Sequence, residues 1–95
     1  MTSVTDVPSM LIMKPLAIDP RSSVPSYRQL ADQLRAAIES GEIGPGEALP
    51  SINRIKQETG LAVGTIRHAI DVLVEEGTAY TVPGRGTFAA ERPQR

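Results

Sequence analysis

The chain has no cysteine and one histidine, His68. The first absence removes disulfides, thiolate metal sites and cysteine nucleophiles together, and the second leaves too few imidazoles for a histidine-rich metal site. No long apolar run is present. Met10 to Met13 is broken by Lys14 and Pro15, too short for a signal-peptide core and far too short for a membrane span. No nucleophile, base and orienting group converge, and no phosphate-cradling glycine loop follows a strand and opens a helix, so neither an enzyme nor a cofactor is indicated. The chain's 95 residues suffice for one small domain, which buries only about 60% of its unfolded surface. Function is therefore expected on the surface of a soluble, cytoplasmic protein in a reducing compartment. A basic balance is also missing: the formal charge is −1 and the pI about 5.7, which argues against indiscriminate nucleic-acid binding.

What is present is organised around Leu49 to Ile70, LPSINRIKQETGLAVGTIRHAI, where one short helical pattern stops at a glycine and another begins three residues later. Pro50 pushes Leu49 into extended geometry and Ser51 is placed to cap the first helix. Ile52 and Ile55 then face inward. Gly60 falls where the chain must reverse, a place that favours positive φ, and Leu61 plugs the turn. In the second helix Ile66, Ala69, Ile70 and Leu73 recur at helical spacing, which leaves Val63, Gly64, Thr65, Arg67 and His68 largely off the buried stripe. A helix-turn-helix presents its reading residues from that part of its recognition helix.

Taken in order, Met1 to Ser9 has no helical or alternating period and reads as a mobile tail. Met10 to Ile18 is more apolar, suited to a short edge strand or to an arm packed on the domain, although Pro15 excludes a central strand. The expected division is an N-terminal arm over 1–23, partly disordered, a folded domain over 24–90, and a frayed tail over 91–95. Pro25 and Ser26 supply the first turn of the clearest helix, in which Tyr27, Leu30, Ala31, Leu34, Ala37 and Ile38 repeat at i, i+3, i+4 and i+7. An aromatic opening such a stripe is expected to be core. Arg28, Asp32, Arg35 and Glu39 take the opposite side and Gly41 ends the helix. Gly44, Pro45 and Gly46 signal a turn, with Ile43 and Leu49 as apolar anchors and room for a short strand before Pro50.

Glu75, Glu76 and Gly77 close the third helix. Thr78 to Val82 and Thr87 to Ala90 read as two strands around Pro83, Gly84, Arg85 and Gly86, a hairpin with a basic tip. Directly behind a helix-turn-helix, such a loop is a wing able to reach a groove or phosphates, with its glycines permitting close approach. Arg54, Lys56, Arg67 and Arg85 belong to this half of the chain, whereas Asp32, Glu39, Glu42 and Glu47 lie on the first helix and its exit loop. One face can be basic although the whole is not. The fold class expected is mainly α with a small β-hairpin: three helices and a wing.

These fragments, Ile18-Asp19-Pro20, Pro25-Ser26-Tyr27-x-Gln29-Leu30, Gly44-Pro45-Gly46, Leu49-Pro50-Ser51, Thr65-x-Arg67-x-Ala69 and Pro83-Gly84-Arg85-Gly86-Thr87-Phe88, resemble in order and spacing the DNA-binding domain of GntR-family bacterial transcription regulators. The resemblance covers roughly three quarters of the chain. It implies a winged helix-turn-helix bound as a dimer to palindromic double-stranded operators. Thr65 and Arg67 match the family's recognition-helix contacts, and Arg85 and Gly86 match its wing. The chain departs from the family where an arginine is common early in the motif's first helix and Asn53 stands instead, with Arg54 placed to replace it in part. It departs again at Ala62-Val63, where Ser-Arg is usual. Val63 suits a thymine methyl, and Ala62 is a helix cap worse than serine by about 1 kcal/mol. Lys56 takes a usually small position and is expected to snorkel outward. The larger C-terminal domain of the family is absent, so the chain is read as either a stand-alone or a truncated regulator.

The expected DNA-binding residues are therefore Ser51, Asn53, Arg54, Val63, Gly64, Thr65, Arg67, His68, Arg85 and Gly86, with the helix over 62–75 in the major groove and the wing over 83–87 on the backbone or minor groove. The expected function is a sequence-specific transcriptional regulator, most simply a repressor, self-associating weakly and paired chiefly on its operator. The alternative is a winged-helix module that binds acidic protein partners through Arg67 and Arg85, a reading supported by the low net basicity.

Overall fold

The structure, a computed structural model, describes residues 16–91. The expectations for Met1 to Pro15 and for residues 92–95 lie outside the described residues. Three helices and two strands follow in the order α1 (Ser26–Ser40), α2 (Ile52–Thr59), α3 (Val63–Glu75), β1 (Ala79–Val82) and β2 (Gly86–Ala89). Each helix starts and stops at the residues that the sequence marks. Pro25 precedes α1, and its carbonyl accepts the N–H groups of Arg28 and Gln29, both at 3.0 Å. The Ser51 hydroxyl accepts the Arg54 N–H at 3.1 Å, closing the first turn of α2. Gly60 ends α2 at φ 76°, a left-handed conformation that costs an L side chain about 1 kcal/mol or more.

One apolar core joins these elements. The α1 stripe buries Leu30, Ala31, Leu34, Ala37 and Ile38 against the Ile66, Ala69, Ile70 and Leu73 stripe of α3. Ile55 is the buried residue of α2, with Ile52 and Leu61 half-buried beside it. Among the described residues no polar or charged side chain is buried. Each large apolar side chain so enclosed contributes about 1.5–3 kcal/mol through removal from water, and what chemistry the domain has is displayed on its outside. Tyr27, expected in the core, is half-buried: it packs against the core while leaving part of its ring exposed.

The strands pair antiparallel in the register Ala79↔Ala89, Tyr80↔Phe88, Thr81↔Thr87 and Val82↔Gly86, one residue from the limits read in the sequence. A third segment covers the other edge of β2. Ala48 bridges Phe88, the Leu49 N–H reaches the Thr87 carbonyl at 2.9 Å, and the Ala89 N–H reaches that of Glu47 at 2.8 Å. The short strand expected before Pro50 is thus a single bridge, Ala48 to Phe88, flanked by these two hydrogen bonds.

Residues grouped with an N-terminal arm in the sequence are fastened to this body. Leu16 is 5% exposed and belongs to the core. Its N–H donates to Glu58 Oε1 at 3.1 Å. The Gln33 amide accepts the Ala17 N–H and donates to the Ala17 carbonyl, and Gln29 does the same for Asp19 while also donating to the Val24 carbonyl. Side-chain amides here stand in for a neighbouring strand.

Arg35 ties α1 to the end of α3: its Nε and Nη2 donate to the Glu76 carboxylate at 2.7 and 3.1 Å, and its Nη1 to Asp32 at 2.7 Å. The Arg35 hydrogen bonds, helped by the Thr78 hydroxyl, hold the Glu76 carboxyl below the ordinary glutamate range. The Leu16 N–H and then Arg54 do the same for Glu58. A carboxyl whose folded pKa lies below its unfolded value contributes fully above the unfolded value, about 4.3, and the contribution is lost as pH falls through the folded one. Thermal midpoints should accordingly hold steady from neutrality down to about pH 5 and decline below about pH 4. Glu76→Gln should flatten part of that decline; an acid profile identical to the parent's would show that the Arg35–Glu76 pair adds nothing to stability.

Candidate nucleic-acid interface

Because Ile66, Ala69, Ile70 and Leu73 turn inward, the remaining faces of α3 are displayed: Val63, Gly64, Arg67 and His68 are exposed and Thr65 is half-buried. Ala62 makes no side-chain cap; its carbonyl accepts the N–H groups of Thr65 and Ile66 at 3.0 and 3.1 Å. His68 is placed differently from the other candidates. Its ring stacks on Tyr27 with centroids 3.9 Å apart and planes 10° apart, so it fastens α3 to the start of α1. Such a pair is worth about 0.5–1.5 kcal/mol beyond its buried area. Nothing in the sequence signals this contact across 41 positions; the stack also explains why Tyr27 opens the α1 stripe without being fully enclosed.

The wing is built by turn chemistry. The Val82 carbonyl accepts the Arg85 N–H at 2.9 Å, with Pro83 first and Gly84 second between them, and Gly84 at φ 78° meets the requirement of a type II turn. Arg85 follows at the tip, exposed, and Gly86 opens β2. Behind the tip, Tyr80 and Phe88 stack across the strands at 5.8 Å, and the hydroxyls of Thr81 and Thr87 approach to 3.5 Å. These cross-strand pairs hold the hairpin that carries Arg85.

The candidates fall into two groups. Ser51, Ile52, Ile70, Arg85, Gly86 and Thr87 line one cleft of about 360 Å³, which brings the wing, the entry to α2 and the side of α3 together. Arg67 lies one turn before Ile70 on that helix. Arg54 lines an adjoining depression with Glu42 and Glu47, and Ala48 to Ser51 border both. The Arg54 Nε donates to Glu58 at 3.0 Å, and Asn53 stands exposed beside it. Among the described residues, Arg35 and Arg54 are paired with carboxylates, while Arg67 and Arg85, like Arg21, Arg28 and Lys56, make no ion pair. The sequence grouped Arg54 with Arg67 and Arg85 as one basic set. The (i, i+4) spacing of Arg54 and Glu58 was the available sign that it differs.

Two helices joined by a glycine turn, a third helix packed behind them and a hairpin following at once define a winged helix-turn-helix domain, whose second motif helix is α3. The sequence model described as bacterial regulatory proteins, gntR family, matches residues 26–89, and the chain belongs to that family. It is 38% identical over 74 residues to the transcriptional repressor NagR of Bacillus subtilis, covering 78% of this chain and 30% of NagR. It is 40% identical over 67 residues to MngR of Escherichia coli, the repressor of a mannosyl-D-glycerate transport and metabolism system, covering 70% of this chain and 28% of MngR. The chain thus spans less than a third of the length of these two relatives. Among solved structures, YtrA from Sulfolobus acidocaldarius, a GntR-family transcription factor, superposes with a TM-score of 0.76 at 34% identity, covering 84% of each chain. AraR(DBD) in complex with operator ORX1 gives 0.72 at 36% identity over 78% of this chain and 94% of that one.

Proposed function

We propose that the chain is a sequence-specific double-stranded DNA-binding regulator of transcription, most simply a repressor, that lays α3 in the major groove and sets wing residues 83–87 on the backbone or in the minor groove. The observation that carries this reading is the placing of two exposed arginines: Arg67 on α3 and Arg85 on the wing, neither in an ion pair among the described residues, stand on elements that share one cleft with Ser51. Val63 and Thr65 present a methyl surface and a hydroxyl to base edges, Gly64 and Gly86 allow close approach, and Ser51, Asn53 and Arg54 lie toward the backbone at the entry of α2. His68, exposed and stacked on Tyr27, braces α3 against α1 while its outer edge stays available to the duplex. Two copies come together on paired half-sites of a palindromic operator and associate weakly otherwise. The protein works in the cytoplasm, at the chromosome, with no cofactor and no chemistry of its own. Selection of bound fragments from random duplex DNA tests binding, symmetry and half-site spacing together; failure to enrich any duplex would sink this reading.

Arg85 is held by a glycine-flanked turn, so its guanidinium is expected to find phosphates more than base edges. Arg85→Ala should weaken selected and scrambled duplex by similar factors and lower the slope of log K against log salt by about 0.9, the loss of one phosphate contact. An unchanged slope would remove the wing from the interface. The net charge of −1 favours a second reading, a module that binds acidic proteins. Absence of duplex binding at low salt, together with protein capture that depends on Arg67 and Arg85, would support that reading.

A further inference from the structure

Helix α2 carries one ion pair set against its dipole, although Lys56 in its last turn is favourably placed. Arg54 lies in the first turn, near the positive end of the helix dipole, and Glu58 in the last turn, near the negative end. An (i, i+4) pair with the acid leading is the more stabilising order, and here the base leads. Helix stability alone therefore does not account for the pair. Its geometry is nonetheless well fixed: the Glu58 carboxylate takes the Leu16 N–H on one oxygen at 3.1 Å and the Arg54 Nε on the other at 3.0 Å. Among the described residues the terminal nitrogens of Arg54 make no hydrogen bond. The guanidinium is thus oriented with donors still available, while its charge is cancelled by a carboxylate belonging to the domain.

We propose that Glu58 is a positioning residue that limits sequence-independent DNA binding by neutralising Arg54, leaving Arg54 as an oriented hydrogen-bond donor to a phosphate and withholding its full charge from the duplex. The inference rests on the DNA-binding reading above. It accords with a net charge of −1 on a chain whose proposed partner is a polyanion. Attraction to DNA in general scales with the phosphates neutralised by free cations, so an internal carboxylate that occupies one cation lowers binding to all sequences alike. The other acids beside Arg54 are Glu42 and Glu47, which line the same depression; neither is paired with it, and the Glu47 carboxylate accepts the Gly44 N–H at 2.7 Å.

The test compares the parent, Glu58→Gln, Arg54→Ala and the double variant on a selected and a scrambled duplex across a salt series, with helical circular dichroism as the fold control. Glutamine keeps an acceptor for the Leu16 N–H and removes the charge. Glu58→Gln should bind both duplexes severalfold more tightly at low salt, by similar factors, with the salt slope steeper by about 0.9. In the Arg54→Ala background the same change should give a clearly smaller gain. Glu42→Gln, which removes an equal charge without breaking an ion pair, should also gain less than Glu58→Gln. Glu58→Ala carries the same electrostatic expectation without the Leu16 contact, so equal gains from both variants place the effect on charge. No gain from either folded variant, or an equal gain without Arg54, overturns the proposal while leaving the DNA-binding reading intact. A folded parent that binds no duplex overturns both.

Discussion

Ile66→Ala is expected to unfold a large share of the domain at ordinary temperatures. Ile66 is fully buried in α3, in the stripe that faces α1. Truncating such a side chain removes its transfer free energy and leaves a cavity, together about 2–5 kcal/mol. At about 0.05–0.15 kcal/mol per residue, a body the size of residues 16–91 is stable by only roughly 4–11 kcal/mol, so one substitution removes a large fraction of the total. With about 4–8 °C lost per kcal/mol in a domain of this size, the thermal midpoint should fall by about 8 °C or more. Urea titration should show a lower midpoint at an unchanged slope. A variant with the parental midpoint would mean that Ile66 does not hold the helices together.

Arg67→Ala should do the opposite, sparing the fold and damaging recognition. Its side chain is exposed and makes no ion pair among the described residues, so the thermal midpoint should stay near the parent's. A five-donor planar fork on a rigid helix can address a guanine edge at two points, which a hinge-mounted arginine does poorly. The expected cost on the selected duplex is about 1–3 kcal/mol, roughly 5- to 150-fold in affinity, with relaxed preference at one base position. The loss on scrambled duplex should be smaller. Equal losses on both would reassign Arg67 to a phosphate, and no loss on either would remove α3 from the interface.

Those expectations rest on features of unequal visibility in the sequence. The helical stripes, the Ser51 cap, the Gly60 reversal and the Pro83-Gly84 turn are local, set by residues within a few positions of one another, and each was legible as pattern. The outward face of α3 followed from its inward stripe. Contacts closed by the tertiary fold were not legible. Tyr27 meets His68 and Arg35 reaches Glu76 because α1 and α3 pack along one another, contacts that join positions 41 residues apart in the chain. Leu16 looked like part of a proline-broken arm because its burial depends on partners far along the chain. Arg54 is the exception: composition counts it as a free cation although its neutralising carboxylate lies one turn along the same helix, a local contact that the (i, i+4) spacing marks.

The amide clamps on the segment before α1 bear on where this domain can be cut. The family match begins at residue 26, and a fragment trimmed to that limit would lack Leu16, Ala17 and Asp19. It would lose the Leu16 side chain from the core and leave Gln29, Gln33 and Glu58 without their backbone partners. Tolerance to truncation follows burial and backbone hydrogen bonding rather than the edge of a sequence match. A fragment starting at residue 26 is therefore expected to be less stable than one starting at or before Leu16, and a protease site introduced between Ala17 and Asp19 should be cut more slowly while the two glutamines hold that segment against α1.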